Sequence, residues 1–179
     1  MAIDFMVVRT NLYVWASSNI PVGMPAIYYY PNAPRPTVDY ITLYLSSIDQ
    51  IGWDYVQGPL AIDGIAEQVG DREFILTVQG YGGDPMTVLQ NLRTSLQKQS
   101  VLDSLRVNGI VFVSWFPIND ITDLVDSRFE QRATMDIRFR IADVYSDNSG
   151  VISTVELQEV LQNASGDIVY DETFTIPPP

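Results

Sequence analysis

From Phe129 to Ile141 apolar and polar residues alternate with a period of two. Phe129, Ala133, Met135, Ile137, Phe139 and Ile141 fall on odd positions; Arg128, Glu130, Arg132, Thr134, Asp136, Arg138 and Arg140 fall on even ones. Successive side chains of a strand point to opposite faces, so the pattern predicts one long strand with an apolar face on a core and a charged face turned outward. At Ala142 and Val144 the apolar positions become even, as a bulge near Asp143 would make them. Arg128, Arg132, Arg138 and Arg140 collect on the charged face, four of the ten basic residues in the chain. Such a face is a candidate for docking an acidic surface; the alternative is a laddered surface with Glu130 and Asp136 paired against the arginines.

The rest of the chain reads in order. Ile3, Met6, Val7, Thr10, Tyr13 and Val14 recur at helical spacing, which predicts an amphipathic helix to about Ser17 with these residues on its apolar face. Ala26 to Tyr30 is a short β run. Pro31 to Pro36 is an extended loop whose prolines keep it out of a central ladder. Asp39 to Ile48 is a strand with Ile41, Leu43 and Leu45 on one face and Tyr40, Thr42 and Tyr44 on the other, and Gly52 to Asp63 shows no period and reads as a loop. Gly70-Asp71 between two β runs, Ile65 to Val69 and Glu73 to Gln79, predicts a type II′ hairpin. Asp84 as N-cap and Pro85 at the first helical position open a helix to about Gln99, with Val88, Leu89, Leu92 and Leu96 on one face. A short helix over Val101 to Val107 and a buried strand over Gly109 to Phe116 follow. Asp147 to Gly150 turns the chain back into Val151 to Leu161, strand or helix, and then into a last strand, Ile168 to Ile176. The order gives an α+β fold: a mainly antiparallel sheet with an N-terminal helix and a central helix packed on it.

Length and composition bound this picture. A chain of 179 residues with 46% hydrophobic residues is sized for a single domain, here 1–179 with a C-terminal strand extension from about residue 147. Twenty-two acidic residues against ten basic ones, a formal charge of -12, argue against wrapping nucleic acid. The chain has no cysteine and no histidine. Disulfides, thiolate nucleophiles, imidazole bases and the commonest transition-metal ligands are thereby excluded. Apolar runs are too short to span a bilayer and Met1 to Asp4 lacks a basic signal-peptide start, so the expected setting is a cytoplasm-like compartment without membrane contact.

Several motifs imitate sites. Asp147, Ser149, Gly150, Ile152, Ser153 and Glu156 match calcium-loop positions, but Tyr145 stands where the first carboxylate belongs and a strand precedes it where a helix should. Tyr81-Gly82-Gly83-Asp84-Pro85 resembles a phosphate cradle at a helix N-terminus, without the lysine and glycine spacing of a P-loop; helix capping accounts for it. Asp120, Asp123 and Asp126 read as a solvated loop rather than a catalytic pair. Tyr28, Tyr29, Tyr30, Tyr40 and Tyr44 read as core and interface tyrosines, because base stacking needs a basic groove. No catalytic residue, cofactor or metal is expected.

Asn32-Ala33-Pro34-Arg35-Pro36, followed by Tyr40-Ile41-Thr42-Leu43-Tyr44, resembles the signature loop and strand of the phage neck and tail terminator proteins. The helix Val88 to Leu96 and the strand Arg132 to Arg140 fall in the order that family shows, and the resemblance covers about Pro31 to Tyr145. It implies a structural α+β subunit that assembles as a ring, usually a hexamer, at the head-proximal end of a phage tail. The ring would cap the tail tube, meet tube and sheath protein and the head connector, and let genomic DNA pass. Localisation would be the virion, after assembly in the host cytoplasm. A head-completion or connector ring, or a non-enzymatic binding module, are the alternatives.

Overall fold

The structure is a computed structural model that describes residues 3–29, 34–58, 65–125, 127–148 and 155–176. In chain order the elements are α1 (Phe5–Ser18), β1 (Ala26–Tyr28), β2 (Tyr40–Gln57), β3 (Ile65–Tyr81), α2 (Pro85–Ser95), α3 (Gln99–Val107), β4 (Val111–Trp115), β5 (Asn119–Asp120), β6 (Asp123–Val125), β7 (Arg128–Glu130), β8 (Arg132–Asn148), β9 (Val155–Gln162) and β10 (Ile168–Ile176). The fold is mixed α/β with a mainly antiparallel sheet. Its strand order is β1-β2-β3-β8-β4, with β5 added to β8. β1 runs parallel to β2, and β4 runs antiparallel to β8 with Val111 opposite Arg140. β6 with β7 and β9 with β10 form separate two-stranded ribbons. The chain makes two compact units, Met1–Tyr55 with Val69–Tyr145, and Val56–Gln68 with Ser146–Pro179.

The first unit holds the main core. On β8 the period of two is strict: Ala133, Met135, Ile137 and Phe139 are fully buried, and the even residues between them are half-exposed. Phe74, Leu76 and Val78 repeat the pattern on β3, and Ile41 and Leu43 extend it onto β2. They share one hydrophobic cluster with Val8, Leu12, Trp15 and Ala16 of α1 and Val88, Leu89 and Leu92 of α2. Phe139 stacks on Phe74 at 5.6 Å and meets Trp15 and Phe112 edge-on at 6.2 and 6.1 Å, geometries that aromatic quadrupoles favour. The Trp15 indole N–H donates to Ser95 Oγ at 3.0 Å, so the polar end of a buried tryptophan is satisfied. Asp4 caps α1 by accepting from the amides of Met6 and Val7, and Asp84 caps α2 by accepting from Thr87 N at 3.1 Å.

Several sequence expectations need correction. α1 is helical where expected, but its stripe of Met6, Val7, Tyr13 and Val14 faces away from the core: Met6 is 69% exposed, whereas Val8 is 2%. Apolar residues line both sides of this helix, and the side carrying Leu12 and Trp15 has the larger area to bury. The Gly70-Asp71 hairpin does not exist, because β3 runs straight through it. Gly70 serves a different need: a Cβ there would lie 2.0 Å from Asp54 Oδ1 and 2.3 Å from Arg72 Nη1, so the missing side chain makes room for an ion pair. Gly52 to Gln57, expected as loop, continue β2. The central helix ends at Ser95, four residues early, and α3 takes over at Gln99. β4 is the end strand of the sheet order rather than a buried one, with Val111 and Val113 exposed.

The long strand also begins later than the alternation suggested. Arg128 to Glu130 belong to β7, which pairs with β6 as a small ribbon, Leu124 opposite Phe129. Phe129, assigned to the core face, is 79% exposed. Register irregularities occur in β4, between Phe112 and Ser114, and in β10, between Ile168 and Tyr170. Most of the calcium-like loop, residues 149–154, falls outside the described residues, as do Asp126 and Pro31 to Ala33.

Candidate functional site

The outward face of the sheet carries the charge. Thr134, Asp136, Arg138 and Arg140 of β8 stand beside Glu73, Ile75, Thr77 and Gln79 of β3, because the alternation that buries their neighbours leaves these turned out. Thr77 Oγ1 donates to Asp136 Oδ1 at 2.6 Å. Glu73 lies between two arginines: Oε1 is 3.0 Å from Arg138 Nε and Oε2 is 3.2 Å from Arg140 Nη2. The 3.0 Å approach is a charge contact outside hydrogen-bond direction, and the Nε atoms of both arginines are buried without a hydrogen-bond partner. Two guanidiniums therefore share one carboxylate, leaving an excess positive charge with unused donors. The Arg138 guanidinium also sits 5.2 Å over the Phe116 ring, and Val111 stands opposite Arg140.

At the end of the same sheet is a cluster that sequence reasoning did not assemble. Tyr40 and Tyr81 stack at 4.6 Å with an interplanar angle of 4°. Arg35 lies 5.6 Å from both rings, Arg132 lies 5.4 Å from Tyr81, and Glu130 pairs with both arginines. Tyr81 O–H donates to Gln79 Oε1 at 2.7 Å, and burial raises its pKa. The neighbouring glycines hold no phosphate cradle. Gly82 N donates to Gln131 O, and Cβ atoms at Gly82 or Gly83 would sit 2.3 Å from the Asp39 carboxylate, which already occupies that concavity. Both glycines have positive φ, +78° and +51°, as this close approach requires.

A match over residues 7–172 to the family model described as phage neck terminator protein decides the class of the molecule. The chain belongs to the phage neck terminator family. It is a structural component of the phage neck and of the virion. In fold the terminator resembles the sheath/tube terminator of an extracellular contractile injection system, PVC, in its extended state, with a TM-score of 0.55 and 8% sequence identity. That likeness covers 92% of this chain and 66% of the other, so the chain spans a little under two thirds of that protein. No curated protein sequence matches it.

Within the terminator the four arginines singled out by alternation do not form one row. Arg138 and Arg140 share Glu73, Arg132 joins the tyrosine cluster, and Arg128 is exposed on β7, with no ion-pair partner among the described residues. Glu130 pairs with Arg132 as the surface-ladder alternative has it, whereas Arg35, Glu73 and Tyr81 have partners that depend on strand register. Asp120 and Asp123 cap turns by accepting from Thr122 N and Leu124 N, and the Thr122 contact lowers the Asp120 pKa. Among the described residues no group of three acidic, cysteine or histidine side chains could hold a metal ion, and no helix is long and apolar enough to cross a membrane. A cavity of 170 Å³ between α1 and α3, lined by Asn11, Trp15, Ser100, Ser104 and Asn108, carries no ionisable side chain.

A second charged group is structural. Arg72 holds Asp54 through two 2.7 Å hydrogen bonds and reaches Asp143 at 3.3 Å, while Tyr145 O–H donates to Asp54 Oδ2 at 3.0 Å. The Arg72 hydrogen bonds, against some desolvation and with help from Tyr145, lower the Asp54 pKa from 3.8 to about 2. Between those values the unfolded chain binds the proton and the folded one does not, so stability decreases as pH is lowered. The contribution is complete above 3.8 and is lost as pH drops through about 2. Thermal melts of wild type and Asp54→Asn should differ at pH 6 and converge towards pH 2; a constant gap would refute the assignment.

Proposed function

We propose that the terminator works as one subunit of a homo-oligomeric ring, a hexamer, that caps the tail tube and presents a surface to the head connector. The family match over residues 7–172 carries this reading. In it the half-exposed arginine face of the sheet docks an acidic surface of the neighbouring subunit, the excess charge of Arg138 and Arg140 over the one carboxylate of Glu73 being the local support. The whole chain serves as a single subunit, its C-terminal strands an extension. Tail tube and sheath proteins are the partners on one side and connector protein on the other. The net charge of -12 lets DNA pass without adhering, and assembly takes place in the host cytoplasm. The role is architectural rather than enzymatic, as suits a neck protein without histidine or cysteine.

Mass photometry of the purified chain, alone and with tail tubes, tests the reading. A species of about six subunits that binds tube ends is expected. A chain that remains monomeric in the presence of tubes, or binds them without forming a ring, would overturn it; binding to connector but not to tube would identify a head-completion ring instead.

A further inference from the structure

The β9–β10 ribbon presents an unusual face. Its register places Leu157 opposite Phe174, Glu159 opposite Glu172, and Leu161 opposite Tyr170. With side chains alternating along both strands, these six residues share one side of the ribbon. Leu157, Leu161, Tyr170 and Phe174 are 53%, 54%, 40% and 46% exposed. An apolar stripe is therefore interrupted at its middle by two carboxylates directly across from each other. Like charges in that position repel, and a two-stranded ribbon is marginal on its own. No basic residue follows Arg140 in the sequence, so the C-terminal segment contains no cation to place between them.

We infer that this ribbon face docks on the Arg138–Arg140 face of a second copy of the chain, with Glu159 and Glu172 meeting the two guanidiniums. The two surfaces are complementary in order as well as in sign. On the receiving face Arg138 and Arg140 are two residues apart on β8, about 6.6 Å along a strand, against about 5 Å between side chains paired across a ribbon. Apolar groups flank both pairs: Leu157 with Phe174 and Leu161 with Tyr170 on the ribbon, Phe116 and Val111 beside the arginines. The guanidiniums of Arg138 and Arg140, 37% and 42% exposed and sharing the single carboxylate of Glu73, are the groups that two additional carboxylates would meet. Ribbon against ribbon is disfavoured, since it would bring four carboxylates together. The inference rests on the ring reading and names the acidic surface which that reading left open.

Charge exchange in the full chain tests it by sedimentation velocity, with circular dichroism as fold control. Glu159→Arg with Glu172→Arg, and separately Arg138→Glu with Arg140→Glu, should each raise the concentration needed for assembly by at least about tenfold, because each adds repulsion to lost attraction. Combining all four should restore most of it. If the arginine pair disrupts assembly but the glutamate pair does not, the docking inference fails while the ring reading survives; if the wild type never assembles, both fail. A combined variant that stays as weak as either pair also overturns the direct contact. For variants that fold poorly, disulfide trapping substitutes, since the chain has no native cysteine. Mixed pools of Arg140→Cys and Glu172→Cys should give a covalent heterodimer on oxidation, at a yield above that of either pool alone; equal yields would count against the contact.

Discussion

Replacing Phe139 with alanine should lower the stability of the folded chain by about 3–5 kcal/mol, the range for a large aromatic removed from a core that collapses only in part. Phe139 is fully buried and touches Phe74, Trp15 and Phe112, so the ring joins β8, β3, β4 and α1 at one point. Phe129→Ala provides the contrast. The alternation along the sequence puts both phenylalanines on one apolar face, yet Phe129 is exposed on β7 and its replacement should change stability by no more than about 0.5 kcal/mol. Urea titration of the two variants measures both. Equal losses would mean that β7 continues β8 and that the small β6–β7 ribbon is wrong.

The second large effect is expected at Tyr81. Its ring is stacked against Tyr40 and contacted by Arg35 and Arg132. An aromatic pair is worth about 0.5–1.5 kcal/mol beyond its buried area, and each partly desolvated cation–π contact adds about 0.5–1 kcal/mol. Tyr81→Ala should then cost about 1.5–3.5 kcal/mol before cavity effects. Tyr81→Phe keeps the stack and both cation contacts, and loses the hydroxyl's hydrogen bonds to Gln79 and Thr42, at about 1 kcal/mol each. A double-mutant cycle between Tyr40 and Tyr81 isolates the stacking. A coupling energy indistinguishable from zero would show that the rings are merely adjacent, and the Arg35 segment would then have to be held by Glu130.

What the sequence settled by itself was whatever depends on neighbours along the chain. The period of two from Ala133 to Phe139 fixed which side chains of β8 face the core, because a strand has no other way to dispose alternate residues. Asp84 and Pro85 marked the start of α2 because capping is local hydrogen bonding. The lack of histidine and cysteine removed whole classes of chemistry, and the Asn32 to Tyr44 stretch carried the family resemblance that the match over residues 7–172 supports.

Tertiary structure decided the rest, and the reason in each case is a partner distant in sequence. α1 has two apolar sides, and only the sheet it meets chose Leu12 and Trp15 over Met6 and Val14. Gly70 looked like a turn because glycine permits one, but Asp54, sixteen residues earlier, and Arg72 claimed the space that its missing side chain leaves. The arginines of β8 looked alike until strand order set Glu73 between two of them and Glu130 beside a third. Pairing of Glu159 with Glu172 was equally invisible, since it exists only once the β9–β10 register is chosen. Periodicity reports which face a residue occupies; register decides whom it meets there, and it is set by the sum of contacts along whole strands rather than by any residue's own neighbours.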